Sequence, residues 1–118
     1  MRLFVYGTLM RGESNHRYLK SARFERAAAT RAEFALADFG DYPAIVRPGS
    51  CAITGELYEI DEATLARVDE LEEVPEFYER CEIVLEDGTV ALTYVLPVHF
   101  VEREGGTILD HGDWRRRR

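Results

Sequence analysis

The residue with the strongest claim to chemistry is Glu72, because the helical run that carries it turns it inward. The spacing in Asp61-Glu-Ala-Thr-Leu-Ala-Arg-Val-Asp-Glu-Leu-Glu72 predicts a helix that Asp61 opens as N-cap. At roughly 100° per residue, Leu65, Val68 and Leu71 make an apolar stripe about 120° wide. Glu72 projects inside that stripe, between Leu65 and Val68, whereas Glu70 and Glu73 fall outside it. An ionised carboxylate on a buried face needs partners or shifts toward its neutral form. A group in that state can take and return a proton. The competing reading is a solvated side chain at a fraying helix end, which is the usual home of glutamate.

Other reactive arrangements are weaker. Gly7-Thr-Leu-Met-Arg-Gly12 follows the apolar run Arg2-Leu-Phe-Val-Tyr6 directly, as a loop bounded by two glycines. A turn of this kind can present backbone N–H groups to an anion, and it is equally an ordinary strand end. It lacks the Gly-Lys-Ser/Thr ending of a phosphate loop. Ser14, Ser21 and Ser50 sit in no Gly-x-Ser-x-Gly elbow. Cys51 and Cys81 have no CxxC spacing, and His16, His99 and His111 are scattered, so no metal or cofactor site is expected.

The elements that must position Glu72 and the loop follow from pattern. The 118 residues are 46% apolar and 31% charged, as expected of one globular domain spanning 1–118. Net charge is −7, and setting aside Arg115, Arg116, Arg117 and Arg118 takes residues 1–114 to −11. A body that acidic repels phosphate backbones, so no nucleic-acid partner is expected, and the Arg tail reads as a solvated or frayed end. No window approaches the ~18 apolar residues of a membrane span, and the first residues do not read as a signal peptide. A cytoplasmic protein without a membrane partner is expected, as monomer or homodimer.

Residues 2–6 read as a strand, and Ser14-Asn15 as the cap of a short helix near His16. Two strands are expected between Arg23 and Asp38. Gly40-Asp-Tyr-Pro43 is a turn before a short strand at 44–46, Pro48-Gly49 is another turn, and 52–60 is a further strand. Pro75 is expected to stop the main helix. Residues 77–85 and 89–96 form a hairpin across Glu86-Asp87-Gly88. From Pro97 the chain reads as turns, with Ile108, Leu109 and Trp114 as anchors. The expected class is α+β: about seven strands in a small, mostly antiparallel, barrel-like sheet, with one main helix and one short helix.

Three separated segments together resemble one family. Leu3-Phe-Val-Tyr-Gly-Thr-Leu9 with Gly12, Asn15 and His16 is similar to the opening of the γ-glutamylcyclotransferase-like (AIG2-like) proteins. Gly55-Glu-Leu-Tyr58 resembles the strand before their helix. Val68-Asp-Glu-Leu-Glu72 with Pro75 and Tyr78-Glu-Arg80 resembles the central motif, closest to the γ-glutamylamine cyclotransferase branch. The resemblance covers roughly residues 3–96.

The resemblance implies that family's fold and, with no cofactor, ring closure of a small-molecule γ-glutamyl amine or conjugate to 5-oxoproline. It places the acid/base on Glu72 and the substrate loop on Tyr6, Gly7, Thr8 and Leu9, with Tyr78 and Tyr94 as aromatic residues near the pocket. One position departs: Glu73 stands where the family often has Gly or Ser. Arg80 reads as a ligand for a substrate carboxylate or, better, as the partner of a Glu on its own strand. Fold resemblance leaves a second reading open, a module that binds a carboxylate-bearing or γ-glutamyl compound without transforming it.

Overall fold

The computed structural model describes residues 1–74 and 77–117. Eight strands form one sheet: β1 (Arg2–Val5), β2 (Arg23–Ala29), β3 (Phe34–Asp38), β4 (Pro43–Cys51), β5 (Thr54–Glu59), β6 (Glu79–Val84), β7 (Val90–Pro97) and β8 (Thr107–Ile108). Helix α1 (Glu62–Leu71) follows β5, and α2 (His99–Arg103) follows β7. The strands run in the order β2-β5-β1-β7-β4-β3-β8, with β6 also pairing with β7.

The sheet is mixed, with five antiparallel and two parallel pairings among the described residues, and it is not the barrel that the sequence reading expected. β7 runs parallel to both β1 and β4, through Leu3 opposite Leu92 and Ile45 opposite Val95. The edge between β2 and β6 is joined only by a bridge from Thr30 to Leu85, so the sheet is not a closed barrel. Parallel central strands are covered on both faces and read as continuous apolar runs. Leu3, Phe4 and Val5 in β1 and Tyr94, Val95 and Leu96 in β7 are all buried accordingly.

Along one edge, β7 exchanges β1 for β4 between Leu92 and Val95. The Tyr6 hydroxyl occupies this fork, accepting from the Ile45 N–H at 3.1 Å and donating to the Tyr94 carbonyl at 2.6 Å. Deeper in, the buried Thr93 hydroxyl donates to the Phe4 carbonyl at 2.9 Å. These three bonds satisfy backbone groups that the ladders leave over at a buried position.

Other differences from the sequence reading are local. The turn expected at Pro48-Gly49 lies inside β4, as an irregularity in which residues 47–50 bulge out of the pairing with β3. Asn15 makes no capping bond to the 3₁₀ turn His16–Leu19; its amide donates to the Thr8 hydroxyl instead. The segment after Pro97 contains α2, and β8 adds to β3. Trp114 is a buried anchor while Ile108 is exposed. Arg115 of the basic tail reaches Glu13 at 3.5 Å and the buried Glu56 at 3.6 Å.

Helix α1 begins as the sequence indicates, with the Asp61 carboxylate accepting the Thr64 N–H at 2.7 Å. Its most buried positions are Thr64 and Val68, and Leu65 is only half-buried. The inward ridge is therefore Thr64–Val68–Glu72 at i, i+4, i+8, a narrower band inside the stripe of Leu65, Val68 and Leu71 with the same centre at Val68. Pro75 lies outside the described residues. The helix closes before it, with the Glu73 N–H bonded to the Glu70 carbonyl at 3.2 Å and the Val74 N–H to the Asp69 carbonyl at 3.1 Å. That pair of bonds is the Schellman closure, and it puts Glu73 in the left-handed region at φ 54°. A small residue is favoured there for backbone reasons alone. Glu73→Gly should raise the unfolding free energy by about 1 kcal/mol, read as a higher midpoint in thermal or urea unfolding.

Candidate functional site

The end of α1, the loop after β1, the start of β4 and the middle of β7 converge on a cavity of about 170 Å³. It has room for a small organic ligand rather than a single water. Tyr6, Gly7, Thr8, Leu9, Glu72, Tyr78 and Tyr94 all line it, so the residues singled out in the sequence come together in one place. Phe4, Val5, Asn15, Tyr42, Pro43 and Leu71 complete the wall.

Glu72 caps the C-terminus of α1 with φ −84° and ψ 0°, and its N–H still donates to the Val68 carbonyl at 2.9 Å. The residue is half-buried because it opens on the cavity, yet protein packs closely around its carboxylate. No cation or hydrogen-bond donor among the described residues reaches that carboxylate. Burial therefore pushes its pKa up to about 7. The partial negative charge at the helix end acts in the same direction.

The same cavity is lined by the loop of residues 7–9. Among the described residues, the N–H groups of Gly7, Thr8 and Leu9 donate to no protein acceptor, while their carbonyls are engaged. The Gly7 carbonyl accepts from the Met10 N–H at 3.1 Å, and the Thr8 carbonyl from the Asn15 N–H at 2.8 Å. The Leu9 carbonyl meets His16 Nδ1 at 3.0 Å, which requires that nitrogen to carry the proton. Locked by their carbonyls, the free donors can face an anion.

Gly7 has a different reason from the one its place in a binding loop suggests. A Cβ at this position would lie 2.4 Å from Pro43 Cγ, so the glycine makes room for β4 rather than for a ligand. Pro43 is further held by the Tyr78 hydroxyl, which donates to its carbonyl at 2.5 Å. At the cavity mouth Tyr42 stacks on Phe39 with centroids 5.3 Å apart and meets Phe77 edge-on at 6.0 Å.

Two residues that shape the site, one in the wall and one behind it, were not among the sequence candidates. Asn15 lines the cavity and holds the Thr8 side chain, which its spacing from a glycine loop does not reveal. Asp69 accepts the Tyr94 hydroxyl at 2.7 Å and forms an ion pair with Arg80. Arg80 thus pairs with α1 rather than with a Glu of its own strand. The signal available was that Asp69 lies one turn before Glu72 on the same side of the helix. No group of three or more metal-ligating side chains occurs among the described residues. No helix there is long and apolar enough to cross a membrane.

With the site laid out, comparison with known proteins decides the family. The sequence profile of gamma-glutamyl cyclotransferase, AIG2-like proteins matches residues 3–116. The chain belongs to this family. A Vibrio cholerae protein provisionally named a gamma-glutamylcyclotransferase is 41% identical over 115 residues, covering 98% of this chain and 96% of the relative. The Niallia circulans gamma-L-glutamyl-butirosin B gamma-glutamyl cyclotransferase is 47% identical over 72 residues, 60% of this chain and 45% of that protein. An AIG2-like protein from mouse superposes with a TM-score of 0.70 at 31% identity, covering 80% of this chain and 76% of the other.

The raised pKa of Glu72 has a consequence for stability. Its folded value of about 7 stands above the ordinary 4.5, so the stability tied to the neutral carboxyl is complete below about pH 4.5 and fades through pH 7. Glu72→Gln should match wild type in unfolding free energy near pH 4.5. At about pH 8.5 it should exceed wild type by on the order of 1–2 kcal/mol. Gly7→Ala should destabilise by about 1–3 kcal/mol, because Pro43 is held in place by Tyr78 and has little freedom to retreat.

Proposed function

We propose that this protein cyclises the γ-glutamyl group of a γ-glutamyl amine or conjugate, releasing 5-oxoproline and the free amine, with Glu72 as general acid and base. The observation that carries this reading is a carboxylate with a pKa pushed up to about 7 and backbone donors at residues 7–9, all without a protein partner among the described residues and all lining one small cavity. Family membership supports it, as does the name of the Niallia relative, which describes that protein as acting on a γ-glutamyl conjugate of butirosin B.

The chemistry is intramolecular. The α-ammonium of the glutamyl group gives a proton to Glu72, and the freed amine attacks the group's own γ-carbonyl. A five-membered ring closes, and the carbonyl oxygen becomes an oxyanion. The Gly7, Thr8 and Leu9 N–H groups are the available donors for that oxygen or for the substrate α-carboxylate. Glu72 returns the proton to the leaving nitrogen as its bond to the carbonyl carbon breaks. The second proton shed by the ring nitrogen also ends on the released amine, which departs as an ammonium. Nucleophile and electrophile belong to one molecule, so the main task of the cavity is to hold the glutamyl chain folded.

Release of 5-oxoproline should be followed by mass spectrometry with γ-glutamyl-ε-lysine, γ-glutamyl-alanine, glutathione and γ-glutamyl alkylamines. At least one should be turned over, and Glu72→Gln should lower its kcat by roughly a hundredfold or more without unfolding the protein. The wild-type kcat/KM should rise with pH through about 7, as Glu72 ionises. Full activity in Glu72→Gln would remove the mechanism. A compound that raises the thermal midpoint and is recovered intact, with no release from any substrate, would mark a binding module.

A further inference from the structure

Three phenols stand around the Glu72 carboxylate, and each has already committed its single proton. The Tyr6 hydroxyl donates to the Tyr94 carbonyl at 2.6 Å, and the Tyr78 hydroxyl to the Pro43 carbonyl at 2.5 Å. The Tyr94 hydroxyl donates to Asp69 at 2.7 Å. Carbonyls cannot donate, and Asp69 meets the Arg80 guanidinium as an acceptor, so these directions are set by chemistry. Tyr6 also accepts from the Ile45 N–H, which leaves its oxygen nearly satisfied. The Tyr78 and Tyr94 oxygens keep lone pairs without a protein donor among the described residues.

We infer that Asp69 is a positioning residue: with Arg80 it pulls the Tyr94 proton away from the cavity, so that Glu72, Tyr78 and Tyr94 form a wall of acceptors that selects an ammonium. This inference rests on the reading of the cavity as a γ-glutamyl site, whose α-ammonium is the group such a wall would hold. The loop of residues 7–9, which lines the same cavity, supplies donors, so the two sets of groups together suit a molecule bearing both an ammonium and a carboxylate. An alcohol or a protonated acid in place of the amine would bring fewer protons to the same oxygens.

Replacement of Asp69 by Asn tests this directly. Arg80 can only donate, so an amide at position 69 turns its oxygen to Arg80 and its NH₂ toward Tyr94. The Tyr94 oxygen then accepts from the protein, and its proton swings into the cavity. The wall acquires a donor where the ammonium needs an acceptor, with almost no change in shape.

Two ligands separate this effect from simple loss of structure: N-propyl γ-L-glutamylamide and N-propyl glutaramate, which lacks only the α-amine. Calorimetric titrations belong in the Glu72→Gln background, to suppress turnover. That variant should bind the amine-bearing ligand roughly tenfold or more tightly than the glutaramate, as expected for hydrogen bonds to a charged donor. Adding Asp69→Asn should abolish that preference by weakening the amine-bearing ligand alone. Adding Tyr94→Phe, which removes the acceptor itself, should do the same and serves if Asp69→Asn does not fold.

An unchanged preference, no preference to begin with, or parallel weakening of both ligands would overturn the inference. Absence of 5-oxoproline release in wild type, with the preference intact and lost in the variants, would instead remove the cyclisation reading and leave the acceptor wall standing.

Discussion

The Tyr6 hydroxyl bonds two backbone groups at the fork where β7 leaves β1 for β4, and much of the site follows from that junction. A sheet whose neighbours change along one strand leaves polar backbone at a buried point, where an unmade bond costs about 1–3 kcal/mol. Tyr6 satisfies an N–H and a carbonyl there with one side chain. The chain after β1 is free to turn away as the loop of residues 7–12, while Pro43 enters on the other branch. The opening between the branches becomes the cavity wall. The backbone therefore reaches the site as part of the sheet's own architecture and needs no long insertion to build it.

The polarity of the cavity follows from the same economy of donors and acceptors. On the loop side, carbonyls are tied up by Met10, Asn15 and His16, and the amides of residues 7–9 remain free. On the helix side, phenol protons are tied up by two carbonyls and a carboxylate, and oxygens remain. Glu72 stands on the helix side with no partner among the described residues, and desolvation pushes its pKa up to about 7. The nearby carboxylate of Asp69 is neutralised by Arg80 and occupied by Tyr94, so two acids one helical turn apart have separate tasks.

The end of α1 shows how a structural constraint and the proposed acid/base share one turn. Glu72 is the last residue before the left-handed position that closes the helix, and its carboxylate continues the ridge set by Thr64 and Val68. Glu73 takes the strained conformation, and its side chain is exposed. The departure from a small residue at this position thus bears first on backbone energy, in a place where glycine is favoured.

The local devices were legible in the sequence. Asp61 as N-cap, the inward rank of Glu72, the glycine loop after the first strand, the hairpin at Asp87-Gly88 and the strands on either side of residues 30–33 all depend on neighbours a few residues away. Motif resemblance then ordered three such segments into one family. The parallel pairing of β7 with β1 and β4 was not legible, because alternation of side chains is the same in parallel and antiparallel strands. Nor was the reason for Gly7, which depends on Pro43, distant in sequence and adjacent in space. Asp69, Arg80 and Tyr94 likewise come from a helix and two strands. The sequence by itself determined which residue types were available and where the main helix and the hairpin turn at Asp87-Gly88 begin. Tertiary structure alone decided which donors and acceptors remained unspent, since that balance is settled only when every distant partner has been placed.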